Sequence, residues 1–180
     1  HNKFLTMIEL QKNGIRIPTS YFAATTKMAK RILDEVKYPV IMKIPAGTQG
    51  KGVMFADSKS SASSVIDALD VFKQPYIIQE YIETDATDIR TVVIGNKVIA
   101  MRRHATLDEL RANIHMGGIG KPIDLEPDIE QLAIKSAKVI GAEICAVDIL
   151  EGTKPAVIEV NLSPGLDGIT NATKKNVADV

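Results

Sequence analysis

The chain has 180 residues, 45% hydrophobic and 24% charged, enough to bury a core as one domain or two small lobes. Lys plus Arg and Asp plus Glu both number 22, so no net field argues for nucleic acid or an anionic membrane surface as partner. One cysteine excludes an internal disulfide framework and suits a cytoplasmic setting, and no apolar run approaches the roughly 20 residues of a membrane span.

The chain opens directly in a helical pattern, which leads us to expect a piece of something longer. Phe4, Met7, Ile8 and Gln11 share one side of that helix, and Gly14 can close it. Residues 15–22 are extended around Pro18. Thr25 or Thr26 can cap a second helix with Met28, Ile32, Leu33 and Val36 as its apolar stripe. Tyr38-Pro39 stops it. A strand, PVIMKI, carries Lys43 among apolar residues and runs into a glycine-rich loop, residues 46–52 (AGTQGKG), before a return strand at residues 53–56. Glycines there would let backbone N–H groups approach an anion while Lys43 adds charge, a phosphate grip; an exposed strand lysine beside a flexible hairpin would look the same. The spacing matches neither the P-loop nor the dinucleotide fingerprint.

Residues 58–72 read as a helix facing the core with Ala62, Val65, Ile66 and Leu69, followed by a strand ending in QEYI (79–82). The polar run 83–88 reads as a loop joining two lobes. Strands at residues 91–94 and 97–101 flank Gly95-Asn96, a hairpin turn signal. A basic, irregular segment follows, with Arg102, Arg103, His104, Arg111, Asn113 and His115 ahead of Gly117-Gly118. It suits either a solvated face or a site for phosphate and carboxylate groups. Pro127 and Asp128 open a helix with Ile129, Leu132, Ala133, Ala137 and Ile140 on one stripe, closed by Gly141.

The most informative stretch comes last. Residues 144–150 (ICAVDIL) and 155–165 (PAVIEVNLSPG) predict two strands joined by a short turn-rich link, hence an antiparallel hairpin. Glu159 and Asn161 are two apart and so share a face, with Ile158 and Val160 on the other. Asp148 on the partner strand would join them: two carboxylates and an amide, hard oxygen donors suited to magnesium. A C-terminal helix is expected beyond Gly165.

These pieces resemble the ATP-grasp superfamily, and within it the RimK-like glutamate ligases. The likeness is carried, in order, by Lys43 with GTQGKGV, QEYI (79–82), DIR (88–90), RAN-x-H-x-GG (111–118), AVDIL (146–150) and EVNLSPGLDGI (159–169), and covers nearly the whole chain. It implies an α+β ATP-grasp fold in which two lobes, residues 1–82 and 83–180, clasp ATP between antiparallel sheets, without the small N-terminal domain that usually precedes them. It further implies that Lys3 and Lys43, with the loop glycines Gly47, Gly50 and Gly52, contact nucleotide phosphates. Glu80, Tyr81 and Ile82 would form the adenine hinge, Asp88 would bind the ribose, and Arg111 and Asn113 would face the γ-phosphate, Arg111 as the catalytic cation. Asp148, Glu159 and Asn161 would hold magnesium, two ions, with manganese as an alternative. Arg103, His104, His115, Ser163 and Gly165 would meet the substrate.

The implied reaction is ATP-dependent carboxylate–amine ligation through an acyl phosphate. L-Glutamate would be added to a C-terminal glutamate of a small-subunit ribosomal protein or a γ-glutamyl-type coenzyme. The whole protein is expected to be a cytoplasmic homo-oligomer that binds neither nucleic acid nor membrane. The rival readings are a ligase for another amino acid, as in the lysine- or arginine-biosynthesis branch, and an ATP-binding module without turnover. Two departures from the pattern stand out. His104 occupies the place of a second arginine, and the loop before Asp88 is about a residue shorter.

Overall fold

The computed structural model describes residues 2–45, 52–71, 75–104 and 119–179. Chain contacts divide into two compact units, Asn2–Phe4 with Pro18–Ile82 and Leu5–Ile17 with Glu83–Val180.

In the first of these, β1 (Ser20–Ala23), β2 (Val40–Lys43), β3 (Val53–Ala56) and β4 (Tyr76–Glu80) form an antiparallel sheet in the order β1-β4-β2-β3. Two helices, α2 (Thr26–Glu35) and α3 (Lys59–Asp70), cover one face. Strand alternation selects what they bury: Ala23, Val40, Met42, Ala56, Tyr76 and Ile78 pack against Ala29 and Leu33 of α2 and Ala62, Ile66 and Leu69 of α3. Thr25 caps α2 by accepting from the Met28 N–H, and Ser58 and Ser61 form a capping box on α3. Met28, expected in the α2 stripe, is exposed, and Ala29 takes its place against the sheet. The residues between, Ser20, Phe22, Ile41, Lys43, Phe55, Ile77 and Gln79, line the opposite face, where the Phe22 ring stacks on Phe4 at 4.4 Å.

The second unit is a five-stranded antiparallel sheet, order β7-β6-β5-β8-β9. Its strands are β5 (Thr87–Ile94), β6 (Lys97–His104), β7 (Ile119–Pro122), β8 (Ile144–Leu150) and β9 (Ala156–Asn161). Gly95, with φ of 59°, makes the β5–β6 turn. On one face α4 (Pro127–Ile140) and the body of α1 (Lys3–Lys12) pack onto Ile89, Val93, Ala100, Val147, Ile149, Val157 and Val160. Met7, Leu10 and Ile15 are buried in the N-terminal segment; Gln11, expected on one side of the helix with Phe4, Met7 and Ile8, is exposed. The opposite face is apolar at one end, where Val92, Ile99, Met101 and Ala146 meet Ile169 of α5 (Asp167–Thr173) and Val177. At its other end it is charged.

Two departures from the sequence reading shape that charged end. The run 83–88 is not all loop: β5 begins at Thr87, which brings Asp88 and Arg90 into the ladder opposite Arg103 and Met101. The β8–β9 hairpin is not a regular one either. Asp148 pairs with Glu159 but Ile149 pairs with Val157, leaving Ile158 as a bulge. The core therefore takes Val157 and Val160, three residues apart, where simple alternation expects Ile158 and Val160.

Candidate functional site

The charged end of the five-stranded sheet is built from four strands. Asp88 and Arg90 come from β5, Arg103 from β6, Asp148 from β8, and Glu159 and Asn161 from β9. Register puts them on one face, because Asp88 pairs with Arg103, Arg90 with Asp148, Asp148 with Glu159, and Ala146 with Asn161. Asp148, Glu159 and Asn161 thus share a surface. Among the described residues no three His, Cys, Asp or Glu side chains cluster as a metal site, so the donor set is two carboxylates and an amide.

Asp148 is also the hub of an ion network. Arg90 grips it with two bonds, Nε to Oδ1 at 2.9 Å and Nη2 to Oδ2 at 2.7 Å. Arg103 donates Nε to Asp88 Oδ1 at 2.6 Å and Nη2 to Asp88 Oδ2 at 2.5 Å, and its Nη2 also lies 3.0 Å from Asp148 Oδ2. None of the four side chains is more than 15% exposed. Two cations and two anions cancel, which makes burying them tolerable. The charges are shared unequally. Burial pushes the Asp148 carboxyl up, but the Arg103 and Arg90 guanidiniums together outweigh it and hold the group well below the usual carboxylate range. Burial also pushes Asp88 up, and although Arg103 and, more weakly, Arg90 pull it down, it reaches about 6.

This network bears on whether the residues fit a divalent cation. A carboxylate offers about four acceptor positions. Three N–H donors approach Asp148, one at Oδ1 and two at Oδ2, so Oδ1 keeps a position for a metal. Half-buried Glu159 and Asn161 supply further oxygens on the same surface. Asn161 Oδ1 accepts the Ser163 N–H at 3.0 Å, a turn that fixes the amide and leads the chain into Ser163-Pro164-Gly165. The set suits a hard cation held through single oxygens.

The other expected residues fall as follows. Arg103 and His104 are consecutive on β6, so they project from opposite faces, and only Arg103 joins the acid network. Ser163 and Gly165 lie on the exposed turn after β9, and a Cβ at Gly165 would meet nothing within 4 Å. On the face of the four-stranded sheet away from α2 and α3, Lys43 Nζ donates to Gln79 Oε1 at 2.7 Å. Gly52 follows the loop with φ of 78°, and a Cβ there would come within 3.2 Å of Ile44 Cβ, so its own backbone requires glycine. Glu80 ends β4 with its N–H donated to the Thr19 carbonyl at 2.8 Å, and the Tyr81 ring meets Phe55 edge-on at 5.4 Å. Ile82 follows, half-buried, and Lys3 opens α1. Gly47, Gly50, Arg111, Asn113 and His115 lie outside the described residues. Sequence reasoning assigned no role to Arg90 or Gln79. The signal for Arg90 was present, two residues from Asp88, but it was readable only with the strand start at Thr87.

A cavity of about 330 Å³ opens on the other face of the five-stranded sheet, lined by Ile89, Arg102, Ile123, Leu125, Ile129 and Glu151 among others. It lies beside α4, across the sheet from the acid network.

Residues 1–180 match the family described as RimK-like ATP-grasp domain. A probable alpha-L-glutamate ligase of Syntrophotalea carbinolica is 40% identical over 182 residues, covering 99% of this chain and 60% of that protein. One of Coxiella burnetii is 42% identical over 181 residues, covering 98% and 60%. The chain therefore spans about 60% of the length of these curated relatives. Among solved structures, the ATP-grasp ligase PsnB complexed with minimal precursor, Mg and ADP superimposes with a TM-score of 0.78 at 22% identity, over 98% of this chain and 54% of that one. D-alanine–D-alanine ligase from Bacillus anthracis complexed with ATP gives 0.76 at 18% identity, over 96% and 59%. These two likenesses are of fold: two antiparallel sheets, with helices, in an α+β ATP-grasp arrangement. By its match from end to end and its motifs in order, the chain belongs to the family of RimK-like ATP-grasp domains.

Proposed function

We propose that this chain is the nucleotide-binding and catalytic part of an ATP-dependent carboxylate–amine ligase that adds L-glutamate to an acceptor ending in glutamate. The acceptor is the tail of a small-subunit ribosomal protein or a γ-glutamyl-type coenzyme. The observation that carries the reading is the surface shared by Asp148, Glu159 and Asn161, with Arg90 and Arg103 behind it. It is supported by the naming of the curated relatives as glutamate ligases and by magnesium and ADP in the PsnB complex.

In this reading ATP phosphorylates a carboxylate and the amino group of glutamate displaces the phosphate. The protein's part is positioning and charge placement. Magnesium, when bound, neutralises charge on the nucleotide phosphates. Asp148, Glu159 and Asn161 would hold it. Arg90 and Arg103 keep Asp148 ionised through the neutral range, so no proton has to leave before the oxygen can serve. Lys43 presents a cation from the four-stranded sheet, and Arg111 offsets charge at the transferring phosphoryl group.

ADP release by the protein, supplied with magnesium and ATP, each amino acid in turn and peptides ending in glutamate, tests this. Release that depends on both L-glutamate and such a peptide is expected. Release with another amino acid alone would place the protein in a different ligase branch, and nucleotide binding without release under any pairing would make it a non-catalytic module. Arg111→Ala is expected to lower turnover on the order of 10³-fold while ATP affinity changes little. Unchanged turnover would remove that role.

A further inference from the structure

Lys43 does not stand alone on its sheet face. Its ammonium donates to Gln79 Oε1 at 2.7 Å, Gln79 Nε2 donates to Ser20 Oγ at 2.8 Å, and Ser20 Oγ donates to the Pro18 carbonyl at 2.7 Å. Sheet pairing sets up this chain of bonds. Ser20 and Gln79 are direct partners across β1 and β4, while Gln79 sits opposite Ile41, one same-face step from Lys43 on β2. Gln79 is only 3% exposed, an amide whose bonds must be found inside the protein.

The chain also has a fixed direction. A carbonyl can only accept, so the Ser20 hydroxyl proton points to Pro18. Ser20 Oγ must then accept, which turns the Gln79 NH2 toward it and leaves the Gln79 oxygen facing Lys43. An ammonium is donor-only, so the opposite amide orientation would set donor against donor. The acceptor is neutral as well as oriented. A carboxylate in its place would form an ion pair and offset the lysine charge; an amide oxygen holds the ammonium without offsetting it.

We propose that Gln79 is a positioning residue for Lys43: an amide oriented through Ser20 that holds the ammonium in place while leaving its charge available to the phosphates of a nucleotide. The assignment rests on the nucleotide reading above. Its function lies in the pull of Lys43 on an anion, so its loss should scale with phosphate and disappear with Lys43.

The test is calorimetric titration of the chain and its variants with magnesium AMPPNP and with adenosine, alongside mass-spectrometric rates of Lys43 acetylation. Gln79→Met preserves bulk and is expected to weaken AMPPNP binding about five- to tenfold, leave adenosine unchanged and speed Lys43 acetylation. Gln79→Glu is expected to weaken AMPPNP while slowing acetylation, because a carboxylate at this position offsets the lysine charge. Ser20→Ala, which removes the orienting acceptor, should follow Gln79→Met with a smaller effect. In a Lys43→Met background the Gln79→Met effect on AMPPNP should vanish. An effect that persists undiminished there, or one equal for adenosine and AMPPNP, would overturn the proposal as a packing change. Wild-type chain that binds no nucleotide fails the functional reading instead. The acetylation rates then decide the anchor by themselves: faster labelling in Gln79→Met upholds it, and an unchanged rate overturns it.

Discussion

Arg103 is the residue on which the charged end of the five-stranded sheet depends. Among the described residues it is the arginine that bonds both buried carboxylates, whereas the ion pair of Arg90 is with Asp148. Removing it takes from Asp88 its hydrogen-bonded cation, and a buried charge without its partner costs about 3–5 kcal/mol. Arg103→Met is therefore expected to lower the urea unfolding free energy by about that amount. Arg90→Met should cost less, because Asp148 keeps Arg103. Adding Asp88→Asn to Arg103→Met should recover part of the loss, since the stranded charge is gone. If Arg90→Met proved the costlier of the two single variants, the assignment of Arg103 as the shared cation would be wrong. The motifs picked out Asp88, Arg103 and Asp148 as separate ligand contacts. That they also bind one another follows from a register no linear motif encodes.

At the scale of elements, the β8–β9 hairpin shows which parts of a strand the residue pattern specifies. The helices were read well because capping and 3.6-residue spacing are local. Gly141 closes α4 at φ 74°, where a Cβ is disfavoured, so Gly141→Ala is expected to cost about 1 kcal/mol in thermal unfolding although it would meet no neighbour within 4 Å. The bulge was not read, because period-two alternation has no term for an extra residue. It makes a sharp prediction. Val157→Ala, in the core, should cost about 2 kcal/mol by denaturant titration, and Ile158→Ala, at the bulge and half-buried, less than about 1 kcal/mol. The reverse order would mean that Ile158 occupies the core position. The β5 start at Thr87 escaped for a related reason: Asp88 and Arg90 have low strand propensity and read as loop until a partner strand neutralises them.

At the scale of the whole molecule, a chain with no net charge still has a pH-dependent stability, because its ion network is buried unevenly. Asp88, raised to about 6 chiefly by burial, binds its proton more tightly folded than unfolded. Its contribution is complete below about pH 4 and is lost as pH rises through 6. Unfolding free energy measured without metal should therefore decline across that window relative to Asp88→Asn, in which no proton is exchanged at this position. Parallel curves for wild type and Asp88→Asn would contradict it. Asp148 works in the opposite sense, its stabilisation present above about pH 4 and lost in more acidic solution. The two slopes oppose each other, so the comparison with Asp88→Asn is the informative one.

The order of the motifs was enough to identify the family, the antiparallel character of both sheets and the meeting of Asp148, Glu159 and Asn161 on one face. The family and the antiparallel sheets came from the resemblance those motifs carry, whereas the shared face came from local spacing, since strand alternation and turn residues are properties of a few neighbours in the chain. Which arginine neutralises which aspartate, which valines enter the core past the bulge, and that Lys43, Gln79 and Ser20 form one chain of hydrogen bonds were decided only in three dimensions. Those contacts join residues 15 to 59 positions apart, as with Arg103 to Asp88, Lys43 to Gln79, Arg90 to Asp148 and Ser20 to Gln79. Their geometry is set by strand register and burial, which a chain acquires only when distant segments pair and exclude water between them.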